Sequence, residues 1–332
     1  MSQNKQFLRL LDLYLCFSFQ KLIITFSKSF IGLFIGGSVG VLLLVLIPGL
    51  GVTSGGATRW IKIAGIQFQP SELTKVGMII FYAGYLTDHK NELRSFTKGF
   101  IKPLIFLLPP ILIAYLIQNH LSVCLVMGAI VVVMMIMAGC RMLHFVITGL
   151  VAGGLGGGAL ALYLTSGGGT SSFRIDRLLS FLDPWEDPTG TGWQAIQSLY
   201  AIGSGGLFGA GLGESKQKYL YIPEPQNDFI FAILAEEFGF VGCTAVIILF
   251  GIFVWRGILI AMKAPDMFGS LLAGGITTLV MVQVAINIGV VTSSIPNTGM
   301  PLPFFSAGGT ALVILLSMCG ILLNISKAKA KV

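Results

Sequence analysis

A chain of 332 residues that is 55% hydrophobic and only 11% charged, with a mean hydropathy of +0.87, cannot hide its apolar surface inside a soluble fold. It reads as an integral membrane protein, and the net charge of +7 then follows from Lys and Arg in cytoplasmic loops rather than from nucleic-acid binding. The five cysteines (16, 124, 140, 243 and 319) are scattered, with neither a metal-ligand spacing nor a disulfide framework.

In chain order, residues 1–29 form an amphipathic segment expected to lie along the interface, and no small-residue cleavage site of a leader is evident there. Eight apolar spans follow, at 30–50, 73–87, 103–118, 121–139, 145–165, 228–255, 268–290 and 304–325. The second and third are short, which suggests tilt or partial re-entry. The expected fold class is therefore all-α: a polytopic membrane helix bundle of about eight spans, one membrane-embedded domain over 1–332 with a large outer loop at 166–227. Lys90, Arg94, Lys98, Lys102, Arg141, Arg256 and Lys263 mark their loops as cytoplasmic. Both termini fall on that side, and loops 51–75 and 166–227 fall outside.

The first outer loop contains Arg59-Trp60-Ile61-Lys62 and then Gln69-Pro70-Ser71-Glu72-Leu73-Thr74-Lys75. Pro70 suits the first turn of a helix, which puts Glu72 and Lys75 on one face. Ionisable groups at a span entrance are costly unless they pair or line a cavity. A structural Glu–Lys pair and a functional one stay equally open. Further on, Gly149, Gly153 and Gly157 recur every four residues, a spacing expected to pack against another helix.

The large loop carries Arg174, Asp176 and Arg177, then Asp183-Pro184-Trp185-Glu186-Asp187-Pro188. A glycine-rich run, Gly203–Gly213, resembles a phosphate loop only superficially. It has no Gly-Lys-Ser/Thr ending, and Phe208 stands where a third glycine belongs. A flexible or re-entrant backbone element is the better reading. Ser215, Lys216, Gln217 and Lys218 then offer donors suited to phosphate oxygens.

Tyr221-Ile222-Pro223-Glu224-Pro225-Gln226-Asn227-Asp228 leads into the sixth span. A carboxylate where a water-facing loop meets a hydrophobic span is placed to act on a lipid-linked polar substrate. Glu236 and Glu237 lie inside the span and need partners. On an ideal helix Glu236 would be displaced from Asp228 by roughly 12 Å. The last outer segment, 287–310, is irregular, with three prolines, and reads as a cavity wall.

Together Phe68–Lys75, Leu182–Pro188, Gln197–Gly213, Tyr221–Gly239 and Asn287–Gly309 resemble the SEDS family, the polytopic peptidoglycan glycosyltransferases typified by FtsW, RodA and SpoVE. The runs 194–213 and 287–292 look closer to the FtsW/SpoVE branch. The resemblance implies polymerisation of lipid II at the outer face of the bacterial plasma membrane, with the essential carboxylate at Asp228. Arg59, Glu72 and Lys75 match cavity residues of the family. The implied partners are lipid II, a class B penicillin-binding protein, and division or sporulation proteins. No cofactor is assigned, and a divalent cation stays open. The chain departs from the family in two ways. Relatives usually have ten spans, and the eight expected here leave the first and most of the second without a counterpart in this reading. Asn119-His120 replaces the family's Pro-Asp, so His120 is read as a hydrogen-bonded loop residue.

The expected chemistry is an inverting glycosyl transfer with Asp228 as general base. Lys62, Arg59, Lys75, Lys216 and Lys218 are candidates for steadying the departing diphosphate, and Arg174 and Glu224 complete the expected substrate-binding set. Two rival readings are a lipid II transporter, using the same intramembrane polar residues, and a truncated, catalytically silent scaffold.

Overall fold

The computed structural model describes residues 31–54, 57–63, 65–165, 181, 183–190, 192–218 and 226–327. The amphipathic segment expected at 1–29 lies outside them. Among the described residues there are nine α-helices: α1 Ile31–Leu43, α2 Pro70–Asp88, α3 Lys102–Leu112, α4 Leu121–Met137, α5 Met142–Thr165, α6 Trp193–Gly205, α7 Ile230–Met262, α8 Met267–Val291 and α9 Gly309–Lys327. Phe96–Ile117 (α3 with the π-turn at each end), α7, α8 and α9 are long and apolar enough to cross a membrane; Gly32–Leu46, α4 and Met142–Val151 are shorter apolar stretches. The third expected span proves longer than expected, because its helical course begins at Phe96.

The first outer loop is not irregular. It folds into a three-stranded antiparallel sheet in the order β1 (Gly51–Ser54), β2 (Ala57–Ile63), β3 (Ile66–Phe68), with Val52 opposite Trp60 and Ile61 opposite Phe68. Ile61 is fully buried, while Lys62 and Ile63 at the end of β2 are exposed, so the cover over this face stops short of Ile63. Gln69 then stays extended and Pro70 starts α2, as the sequence suggested.

The chain divides into two compact units. The first comprises residues 1–140, 249–283 and 303–332; the second comprises 141–248 and 284–302. In the first unit α1 packs on α2 at a small-residue contact. A methyl group on Gly77 would lie 2.2 Å from Ser38 Oγ, and Thr74 Oγ1 donates to the Ser38 carbonyl at 3.3 Å. The run Leu271–Val280 of α8 is buried throughout. Gly275 lets that helix approach Ile79 on α2 and Met134 on α4, to 2.8 and 2.9 Å of where a Cβ would stand.

In the second unit, Ser198 Oγ on α6 donates to the Val291 carbonyl at the end of α8, at 2.7 Å. A Cβ on Gly149, Gly153 or Gly157 would meet nothing within 4 Å, so the spacing alone found no partner helix among the described residues.

Candidate functional site

Asp228 belongs to the turn at 226–228, just ahead of α7. The span therefore starts two residues later than the sequence suggested, and the ideal-helix offset to Glu236 does not apply. The backbone of Asp228 is held by a residue distant in sequence. Asn287 Nδ2 donates to the Asp228 carbonyl at 2.7 Å and to the Met300 carbonyl at 2.6 Å. Gly299 lies against the side chain, with the place of its missing Cβ 3.2 Å from Asp228 Oδ2. The sequence reading treated 287–310 only as a wall and missed Asn287. The available signal was an amide inside the apolar end of a span, where a polar group must find partners.

Lower on α7 the helix breaks at Gly239 (φ 64°, ψ −165°), and the glycine-rich run fits into the break. The carbonyls of Glu236 and Glu237 accept from the N–H groups of Ala210 and Gly211 at 2.9 and 3.1 Å. The N–H groups of Phe240 and Val241 donate to the carbonyls of Gly206 and Leu207 at 2.9 and 3.1 Å. Four backbone groups freed by the break are thereby paired, which makes irregular backbone tolerable in an apolar setting. The glycines are needed here: a Cβ on Gly209 would stand 2.1 Å from the Glu237 carbonyl oxygen, and one on Gly205 would stand 1.9 Å from that of Ala235.

Glu236 is buried, and its carboxylate organises the next loop. It accepts from Ser215 Oγ at 2.5 Å, from Lys216 N–H at 2.9 Å and from Gln217 N–H at 3.3 Å. Lys218 pairs with Glu237 at 3.0 Å and also donates to the Gly213 carbonyl. Ser215 and Lys218, expected as phosphate donors, are thus engaged with the two span glutamates, and Glu236 and Glu237 have the partners that the sequence said they need. Lys216 keeps an exposed side chain.

In the first unit, Lys75 is fully buried and bonded to Glu72 at 2.7 Å, so the two residues share a face as expected. Arg59 on β2 donates from Nε to the Gln118 carbonyl at 3.0 Å and from Nη2 to the Asn119 carbonyl at 2.9 Å. It ties the sheet to the connection that enters α4. Asn119 takes a left-handed φ of 48°, which asparagine tolerates, and the chain turns there.

His120 caps α4, with Nδ1 accepting from Val123 N–H at 3.4 Å. With Nδ1 accepting, the neutral imidazole carries its proton on Nε2, and Gln69 Nε2 lies 3.1 Å from that ring nitrogen. Burial first, then the positive charges of Arg59 and Lys75, push its pKa down from 6.5 to about 3. The reading of His120 as a hydrogen-bonded loop residue holds.

Of the remaining expected residues, Lys62 is exposed on β2. Arg174 and Glu224 lie outside the described residues. Among the described residues no group of three or more His, Cys, Asp or Glu could hold a metal ion.

The family model for FtsW, RodA and SpoVE, described as cell cycle protein, matches residues 3–331. Stage V sporulation protein E of Bacillus subtilis is 48% identical over 286 residues, spanning 86% of this chain and 76% of that protein. A probable peptidoglycan glycosyltransferase FtsW of a Geobacter species is 42% identical over 290 residues, spanning 87% and 77%. Two solved structures share the fold. RodA of Thermus thermophilus aligns with a TM-score of 0.67 at 27% identity, covering 97% of this chain and 86% of its own. A chain described under polymerization and crosslinking by a peptidoglycan synthase complex aligns at 0.78 and 28% identity, covering 98% and 89%. On this evidence the chain belongs to the FtsW/RodA/SpoVE family of multi-span membrane proteins.

Proposed function

We propose that this protein is a peptidoglycan glycosyltransferase that polymerises lipid II at the outer face of the bacterial plasma membrane, with Asp228 as general base. The relatives named FtsW glycosyltransferase support the reaction class. The observation that carries the assignment to Asp228 is its setting: an ionisable carboxylate in a turn at the head of a long apolar helix, with a glycine against Oδ2 and its backbone fixed from another helix.

In this reading the 4-hydroxyl oxygen of the acceptor sugar attacks the anomeric carbon of the donor and inverts it. The bond from that carbon to the diphosphate oxygen breaks, and its electron pair leaves with undecaprenyl diphosphate. The hydroxyl proton passes to Asp228, a role worth about 10²–10⁴-fold in rate. Lys216, exposed and in the same unit as Asp228, is the cation proposed for the departing diphosphate. Lys218 is instead assigned to holding the loop, because it is already paired with Glu237. In the first unit Arg59, Lys62 and the Glu72–Lys75 pair are proposed substrate-binding residues, as are Arg174 and Glu224. The whole chain would act as one membrane-embedded domain with both termini in the cytoplasm.

The relatives' names and the fold shared with a peptidoglycan synthase complex support a class B penicillin-binding protein as partner, in division or sporulation. The polymerase reading is favoured over a lipid II transporter because Glu236 and Glu237, which a translocation path could recruit, already have structural partners in the 213–218 loop. The test is purified protein in detergent with lipid II, where no second compartment exists. Glycan strands are expected. Their absence from folded protein supplied with its partner transpeptidase would exclude the polymerase reading.

A further inference from the structure

Asn287 is fully buried in the last turns of α8, in the otherwise apolar run Val284–Val291. Both atoms facing its Nδ2 are carbonyl oxygens, those of Asp228 and Met300, so chemistry fixes the amide orientation. A flipped amide would set Oδ1 against two acceptors. One –NH₂ group therefore joins the turn ahead of α7 to the segment that follows α8. The neighbour of Met300 on that segment is Gly299, at a left-handed φ of 61°, and it is the residue lying against Asp228 Oδ2. Gly299 N–H is in turn held by Asn297 Oδ1 at 3.2 Å, and Asn297 Nδ2 donates to Gln194 Oε1 on α6 at 2.6 Å.

We propose that Asn287 is a positioning residue for Asp228, and that Gly299 must lack a side chain for the same purpose. Asn287 locks the backbone of Asp228 to the Gly299–Met300 segment, and the bare glycine keeps a methyl group from standing 3.2 Å from Oδ2. This rests on the reading of Asp228 as the proton acceptor. Neither residue supplies or takes the proton, and both act through where the carboxylate stands.

The experiment compares Asn287→Ala, Gly299→Ala, Asp228→Asn and Ser198→Ala in lipid II polymerisation by the full chain with its partner transpeptidase. Ser198→Ala removes a buried hydrogen bond in the same unit and serves as the purely structural benchmark. For Asn287→Ala, kcat per folded molecule is expected to fall about 10²-fold, the scale of an ångström of misplacement, with KM for lipid II little changed. For Gly299→Ala, alanine is strained at a φ of 61° and its methyl group would stand 3.2 Å from Oδ2, so folded protein is expected to be less stable, and displacement of water from the carboxylate is expected to move the acidic limb of the pH–rate profile to higher pH. Ser198→Ala should lower the melting temperature and move neither quantity.

The proposal is overturned if both variants behave like Ser198→Ala, with kcat per folded molecule and the acidic limb unchanged. Should Asn287→Ala not fold, the limb of Gly299→Ala decides alone. Asp228→Asn separates the two levels. If it polymerises at the wild-type rate, the proton-acceptor reading fails; if its rate falls by about 10²-fold or more while the other variants match wild type, only the positioning role fails.

Discussion

A carboxylate inside an apolar helix persists only when its lone pairs are filled, and Glu236 is filled by one hydroxyl and two backbone donors from 215–217. Ser215→Ala is expected to lower stability by about 1–3 kcal/mol, the cost of leaving a buried group short of a partner. Glu236→Ala should cost more, since it strands three donors, and thermal unfolding in detergent measures both. His120 gives a pH prediction. Its folded pKa lies near 3 against an ordinary 6.5, so as pH falls the unfolded chain takes up a proton that the folded chain refuses. Stability is therefore full above the ordinary value and declines as pH drops through that window. His120→Asn retains a capping acceptor for Val123 and is expected to flatten the decline, read as unfolding midpoints from about pH 7 to about pH 4. At this scale the motif around Asp228 was legible because a charge at a loop–span boundary stands out. The partners of Lys218 were not. Lys218 and Glu237 are far apart in sequence, and no local pattern announces their pairing.

Helices were legible as apolar runs, because backbone groups away from water must pair within their own segment. Their ends were less so: Asp228 falls outside α7, and the π-turn at 96–101 extends the third span. The sheet at 51–68 escaped because its strands are short and lie beside a conspicuous charge pattern, which drew the reading toward a loop. The break in α7 shows a different limit. Gly239 looks like an ordinary glycine in an apolar run, yet its φ of 64° and the docked loop make it indispensable. A Cβ there would meet Gly209 N at 2.4 Å and the Leu207 carbonyl group at 2.7 Å, all backbone. Gly239→Ala is expected to destabilise by more than the roughly 1–3 kcal/mol of backbone strain alone. It should also expose the 205–213 loop to limited proteolysis, whereas Gly149→Ala, with open space around it, should leave the melting temperature unchanged.

At the level of the whole molecule, membership in the FtsW/RodA/SpoVE family and the multi-span character rest on matches along nearly the entire chain. Composition already implied the membrane. Sidedness came from loop charge, and single-cysteine labelling of intact cells tests it: position 216 is expected to react from outside, and positions 90 and 263 only after permeabilisation. The central claim is that one acid, Asp228, takes the proton of the attacking sugar hydroxyl. Glycan polymerisation by purified Asp228→Asn protein, bound to its partner transpeptidase and supplied with lipid II, addresses this most directly. The account predicts a folded, partner-bound protein whose rate is lower by about 10²-fold or more. Strand synthesis at the wild-type rate by that variant would contradict it.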